Sequence, residues 1–91
     1  MASIALRVKF TGHVQGVSFR FYAKRFADSS DVKGWVRNLE DGTVEALFEG
    51  DESAVNRVVE QCRTGNPYAG VVSVESRKGE YTGRYESFTI R

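Results

Sequence analysis

The chain of 91 residues holds one cysteine, one proline and one histidine. Cys62 alone cannot close an internal disulfide, so the fold must stand without a covalent staple, and thiol scarcity fits a reducing compartment. His13, the sole imidazole, sits in a glycine loop and reads as a surface residue. Neither a histidine metal cluster nor a histidine-based triad is expected from it. No apolar run approaches membrane-spanning length, and the first charge, Arg7, comes too early for a signal-peptide core. The expectation is a soluble, cytoplasmic protein. Charge of one sign is also lacking: 13 Lys and Arg against 12 Asp and Glu leave a net +1. That balance argues against bulk attraction to nucleic acid or anionic membrane, while leaving room for one local basic pocket.

What is present is ordinary globular composition, 41% hydrophobic and 27% charged, in a length suited to a single domain over residues 1–91. Ile4, Leu6, Val8 and Phe10 alternate with Ala5, Arg7 and Lys9, the period of a half-buried strand. Phe19, Tyr22, Ala23, Phe26 and Ala27 then recur at helical spacing opposite Arg20, Lys24, Arg25 and Asp28. "VKGWVRNL" and "TVEALFEG" read as two strands around an "EDG" hairpin turn, where Gly42 supplies positive φ. Asp51 is placed to cap a second helix carrying Val55, Val58, Val59 and Cys62. "VVSVESR" and "YESFTIR" are further strands, joined by "KGEYTGR". The order is βαββαβ plus a C-terminal strand. It predicts an α+β, ferredoxin-like two-layer sandwich with an antiparallel sheet covered on one face by two helices.

"GHVQGVSFR", residues 12–20, lies between the first strand and the first helix. Glycines at such a junction bring consecutive backbone N–H groups to one point, a nest for an anion at the positive end of a helix dipole. Arg20, in the first helical turn, can add a planar fork suited to phosphate. Spacing alone also permits a plain turn followed by a solvated arginine. The loop lacks the Gly-Lys-Ser/Thr ending of a Walker motif. Asn38, just before the hairpin, taken alone reads as a residue that bonds its own turn. Cys62 reads as core, and Trp35 is left open between core and partial exposure.

Taken together, residues 12–20 resemble the first signature of the acylphosphatase family, Gly-x-Val-Gln-Gly-Val-x-Phe-Arg. Residues 34–50 resemble its second, with Gly34, Trp35, Asn38, Gly42, Val44 and Gly50 in place. Phe10 stands where the first signature usually begins with a smaller aliphatic. The resemblance implies hydrolysis of the carboxyl–phosphate bond of small acyl phosphates without metal or other cofactor. It implies that Arg20 and the backbone amides of Val14, Gln15, Gly16, Val17, Ser18 and Phe19 bind phosphate, and that Asn38 orients the attacking water. Inorganic phosphate would be both product and inhibitor, and the protein a monomer without nucleic-acid or membrane partners. Two other readings use the same scaffold. An RNA-binding domain would need a basic, aromatic sheet face, against which Glu45 and Glu49 argue. A regulatory domain would bind the anion without turning it over.

Overall fold

The computed structural model describes residues 2–91. Its elements run β1 (Ser3–His13), α1 (Phe19–Ser29), β2 (Lys33–Asn38), β3 (Val44–Asp51), α2 (Glu52–Thr64), β4 (Gly70–Glu80) and β5 (Phe88–Ile90). The five strands form one sheet in the order β4-β1-β3-β2-β5. The expected ferredoxin-like arrangement is present, with β3 at the centre and β1 between β3 and β4.

Alternation decides the core. Val8, Phe10, Val44, Ala46 and Phe48 point to the helical layer and are fully buried, meeting Phe19, Ala23 and Ala27 of α1 and Val55, Val58 and Cys62 of α2. One aromatic pair joins the layers, Phe10 of β1 leaning on Phe19 of α1 with ring centroids 4.9 Å apart. A second lies within the sheet, Phe48 of β3 stacking on Phe88 of β5 at 5.5 Å. Such pairs add to simple area burial. Asp51 caps α2 as expected, accepting from the Ala54 amide.

The sheet departs from all-antiparallel pairing at one edge, where β5 lies parallel to β2, Gly34 opposite Phe88 and Val36 opposite Ile90. The reason is topological. The chain leaves β4 at the end of the sheet where β1 begins and enters β5 from that same end, so β5 must run with β2. Residues 81–87 therefore cross the sheet from one edge to the other.

This strap changes the face opposite the helices. Glu49, expected among solvated residues, is 1% exposed. Its carboxylate accepts from the Thr82 hydroxyl at 2.9 and 3.0 Å, the Thr82 amide at 3.2 Å and the Gly83 amide at 3.1 Å. Trp35 is buried too, in a cluster with Ala5 and Leu47 against which Tyr85 packs. The guanidiniums of Arg91, Arg37 and Arg7 lie 4.7, 5.1 and 5.5 Å from its ring centroid. Glu45 holds both Arg37 and Arg7. Burial pushes Glu45 upward in pKa, but those two partners outweigh it and hold the carboxyl below its ordinary value.

Removing the Glu49 carboxylate leaves two strap amides without an acceptor. Glu49→Ala is expected to cost roughly 1–3 kcal/mol in urea unfolding and to shift emission of the sole tryptophan, Trp35, to the red as Tyr85 loosens. Unchanged stability and emission would show that the strap is held by something else.

Candidate active site

The polar residues of the two signatures, Arg20 and Asn38, converge at one end of the sheet. β1, β2 and β5 all finish there, and α1 starts there, so the polar residues at their ends become neighbours although far apart in sequence. The chain leaves β1 through a bulge at Thr11/Gly12. Gly12 takes φ 128°, and a Cβ on it would meet the Gly70 carbonyl oxygen at 2.2 Å, so only glycine fits.

The loop then coils. Gly16 has φ 75°, and Ser18 adopts the left-handed conformation at φ 59°, ψ 27°. A non-glycine residue held there is strained, and such strain gathers at ligand-binding turns. Ser18 is the N-cap of α1, yet its side chain makes no capping bond, and the first turn carries no acidic residue. The intrahelical ladder begins only with the Tyr22 amide donating to the Ser18 carbonyl at 3.1 Å. Among the described residues, the amides of Gln15, Gly16, Val17 and Ser18 find no intramolecular acceptor, and those of Phe19 and Arg20 open the helix unbonded. α2 shows the contrast, since Asp51 serves its N-terminus.

One expected donor differs. The Val14 amide donates to the Gly12 carbonyl at 3.0 Å, closing a tight turn. The loop amides left without an acceptor among the described residues thus run from Gln15 to Phe19, and Val14 lines the cavity with a buried side chain.

Arg20 and Asn38 face one cavity of about 440 Å³, lined also by Val14, Gly16, Ser18, Phe19, Phe21 and Ile90. Arg20 is half-buried, and its Nη1 donates to the Arg91 carbonyl at 2.9 Å. Arg91 is fixed in turn by its amide, which donates to Val36 O at 2.8 Å, and by its stacking on Trp35. The guanidinium is therefore oriented by a main-chain oxygen, and no Asp or Glu side chain pairs with it among the described residues. Asn38 is exposed at the last position of β2, and its carboxamide makes no hydrogen bond among the described residues. Asp41, not Asn38, stabilises the hairpin. Its carboxylate accepts from the Thr43 hydroxyl at 2.6 Å and amide at 3.0 Å, which hold its pKa down at about 2.

Gln15 ties loop to hairpin. Its Nε2 donates to the carbonyls of Leu39 at 2.8 Å and Thr43 at 2.9 Å, the two residues that close the hairpin neck next to Asn38. A second brace was not visible in the sequence. Asn66, 5% exposed, donates from Nδ2 to the Val17 carbonyl at 3.0 Å while its Oδ1 accepts from the Tyr68 amide at 2.9 Å. The only hint was an asparagine inside the "TGNPYAG" break, which reads as turn chemistry. Arg91 likewise carried no signal of its own.

Gln15→Ala should leave Arg20 and Asn38 intact but free the cradle to shift against Asn38. With displacements near 1 Å costing up to about 10²-fold, the turnover number on an acyl phosphate is expected to fall roughly 10–100-fold. An unaltered turnover number in steady-state kinetics would remove the staple's role.

Cys62 is buried among the valines of α2, and burial pushes its thiol up to about 12, so it stays protonated. Among the described residues no three His, Cys, Asp or Glu side chains gather in a group. No helix of these residues is long and apolar enough to cross a membrane.

Fold and cavity define an α+β protein of ferredoxin-like type with uncommitted amide donors, a cation and a carboxamide around one opening. A family model described as acylphosphatase matches residues 6–90. An acylphosphatase of Chloroflexus aurantiacus is 47% identical over 90 residues, 99% of this chain and 98% of its own. One from Nocardioides sp. is 51% identical over 87 residues, 96% of this chain and 87% of its own. The crystal structure of acylphosphatase from Bacillus subtilis superposes with a TM-score of 0.92 at 34% identity, covering 97% of this chain and 98% of that one. The chain belongs to the acylphosphatase family.

Proposed function

We propose that this protein hydrolyses acyl phosphates to a carboxylate and inorganic phosphate, using position and charge alone. The observation that carries the reading is the sharing of one cavity by Arg20, Asn38 and the loop residues Gly16, Ser18 and Phe19, whose amides have no intramolecular acceptor among the described residues. The phosphoryl oxygens accept from the amides of Gln15 to Phe19 and from the free part of the Arg20 fork. Asn38 accepts from a water through its carbonyl oxygen and donates to a phosphoryl oxygen through its amide, setting the water behind phosphorus. The water oxygen bonds to phosphorus as the bond from phosphorus to the carboxylate oxygen breaks. The acyl phosphate dianion and water become a carboxylate and dihydrogen phosphate, so atoms and charge balance. The leaving carboxylate is stable near neutral pH and needs no proton, and no Asp, Glu or His lines the cavity to supply one. Charge building on the transferring group meets fixed dipoles and one guanidinium, the usual largest contribution in such reactions.

Product phosphate fits the same cradle and is a competitive inhibitor. One chain completes the cavity, so a monomer suffices for the reaction, and the single cysteine fits a cytoplasmic setting. Benzoyl phosphate hydrolysis followed by absorbance, with and without a chelator, tests the reading: equal rates well above the uncatalysed rate are expected. No acceleration would leave an anion-binding domain without turnover, and a rate lost to the chelator would require a metal.

A further inference from the structure

Resting on that reading, we infer that Phe21 and Ile90 form the seat for the acyl part of the substrate and select apolar, ring-sized acyl groups over acetyl-sized ones. Five large apolar side chains stand exposed among the described residues: Phe21, Tyr68, Val72, Tyr81 and Ile90. Exposure of any one is unremarkable. Two of the five, Phe21 at 53% and Ile90 at 42%, line the cavity that holds Arg20 and Asn38.

Their positions come from different elements. Ile90 shares its strand face with Phe88, two residues earlier, and Phe88 is wholly buried beneath the helical layer. The same alternation would hide Ile90, yet it stands at the rim of the cavity instead. Phe21 follows Arg20 in the first turn of α1. Its ring is not loose: Tyr22 meets it edge-on with centroids 6.1 Å apart, and the Arg25 guanidinium lies 5.8 Å from its centre. A fixed aromatic surface costs little ordering when a ligand packs on it.

The remaining lining limits where an acyl group can go. Gly16, Ser18, Arg20 and Asn38 are the polar side, taken up by phosphate and water. Val14 and Phe19 are apolar but buried in the floor. Phe21 and Ile90 are the accessible apolar walls, so an acyl group attached to a phosphate in the cradle leaves the cavity across them. A second cleft of about 460 Å³, lined by His13, Gly16, Val17, Ser18 and Tyr68, opens on the other side of the loop and offers a different route. Arg20 and Asn38 do not line it, whereas Phe21 and Ile90 share one cavity with both. In-line attack puts the leaving oxygen on the side of phosphorus away from the Asn38-held water, and the Tyr68 variant separates the two routes.

The test is the ratio of kcat/KM for benzoyl phosphate to that for acetyl phosphate, in the unaltered protein and in Phe21→Ser, Ile90→Ser and Tyr68→Ser. Small changes in apolar pocket area alter discrimination by about tenfold or more. The unaltered protein is expected to favour benzoyl phosphate by at least about tenfold. Phe21→Ser should lower the ratio by about tenfold, Ile90→Ser by a smaller factor in the same direction, and Tyr68→Ser should leave it unchanged. General disturbance of Arg20 by its altered neighbour lowers both rates together and does not move the ratio. If both substrates are hydrolysed and the ratio stays constant in the Phe21 and Ile90 variants, or moves only in Tyr68→Ser, the seat is elsewhere. If neither substrate is hydrolysed by the unaltered protein, the catalytic reading fails and the seat with it.

Discussion

Arg20→Ala is expected to reduce turnover of benzoyl phosphate by at least about 10³-fold, the lower end of what one guanidinium contributes to phosphoryl transfer. Competitive inhibition by inorganic phosphate should weaken with it. The reasoning starts from geometry. Nη1 is committed to the Arg91 carbonyl, so the remaining donors of a rigid planar group point from a defined direction. Alanine removes the cavity's side-chain cation and leaves only backbone dipoles to meet a dianion. Lysine should not rescue, since an ammonium is a compact point charge and lacks the planar fork that meets the Arg91 main-chain oxygen and the phosphoryl oxygens from separate nitrogens. Arg20 is half-exposed and outside the core cluster, so circular dichroism and unfolding should stay near those of the parent. A variant that keeps full activity would show that amides alone suffice.

Asn38→Ala should behave differently, and the difference is the informative part. Loss of one positioned polar group costs about 10²–10³ in kcat, which is the expected drop. The cradle from Gln15 to Phe19 and Arg20 is untouched, so the inhibition constant for phosphate should stay within a few-fold of the parent. Asn38 is exposed, and its side chain holds no turn together; Asp41 does that. A fall in kcat is therefore not readily traced to a misfolded hairpin. Equal losses in turnover and in phosphate binding would show that the bond from Asn38 to a phosphoryl oxygen, not its alignment of water, carries its effect.

Much of this was readable from the chain. Alternation in β1 and β3 and the stripe in α1 pick out the buried faces, because one-sided burial forces period two on strands and 3.6 on helices. Asp51 announces α2 because a free carboxylate before a helical stripe has few other local uses. The cavity pair, Arg20 and Asn38, came from two motifs whose strands end on the same side of the sheet. What stayed hidden depends on chain crossings that leave no local period. Glu49 and Trp35 lie on a face that alternation marks as outward, and alternation does not say that a strap from residues 81–87 will cover it. Val14 looked like one more nest amide until the bulge at Gly12 gave its N–H a carbonyl. Arg91 and Asn66 act through backbone carbonyls distant in sequence, and no side-chain pattern encodes such a partner.

An anion gripped by main-chain donors beside one fixed cation, with a carboxamide facing it, makes a direct spectroscopic forecast. Titration of inorganic phosphate into ¹⁵N-labelled protein should move the amides of Gln15, Gly16, Val17, Ser18 and Phe19, the Arg20 guanidinium and the Asn38 side-chain NH₂ along one saturable curve. Phosphate perturbing instead the basic strap side around Arg77 and Arg84, while residues 15–20 stay still, would contradict the account.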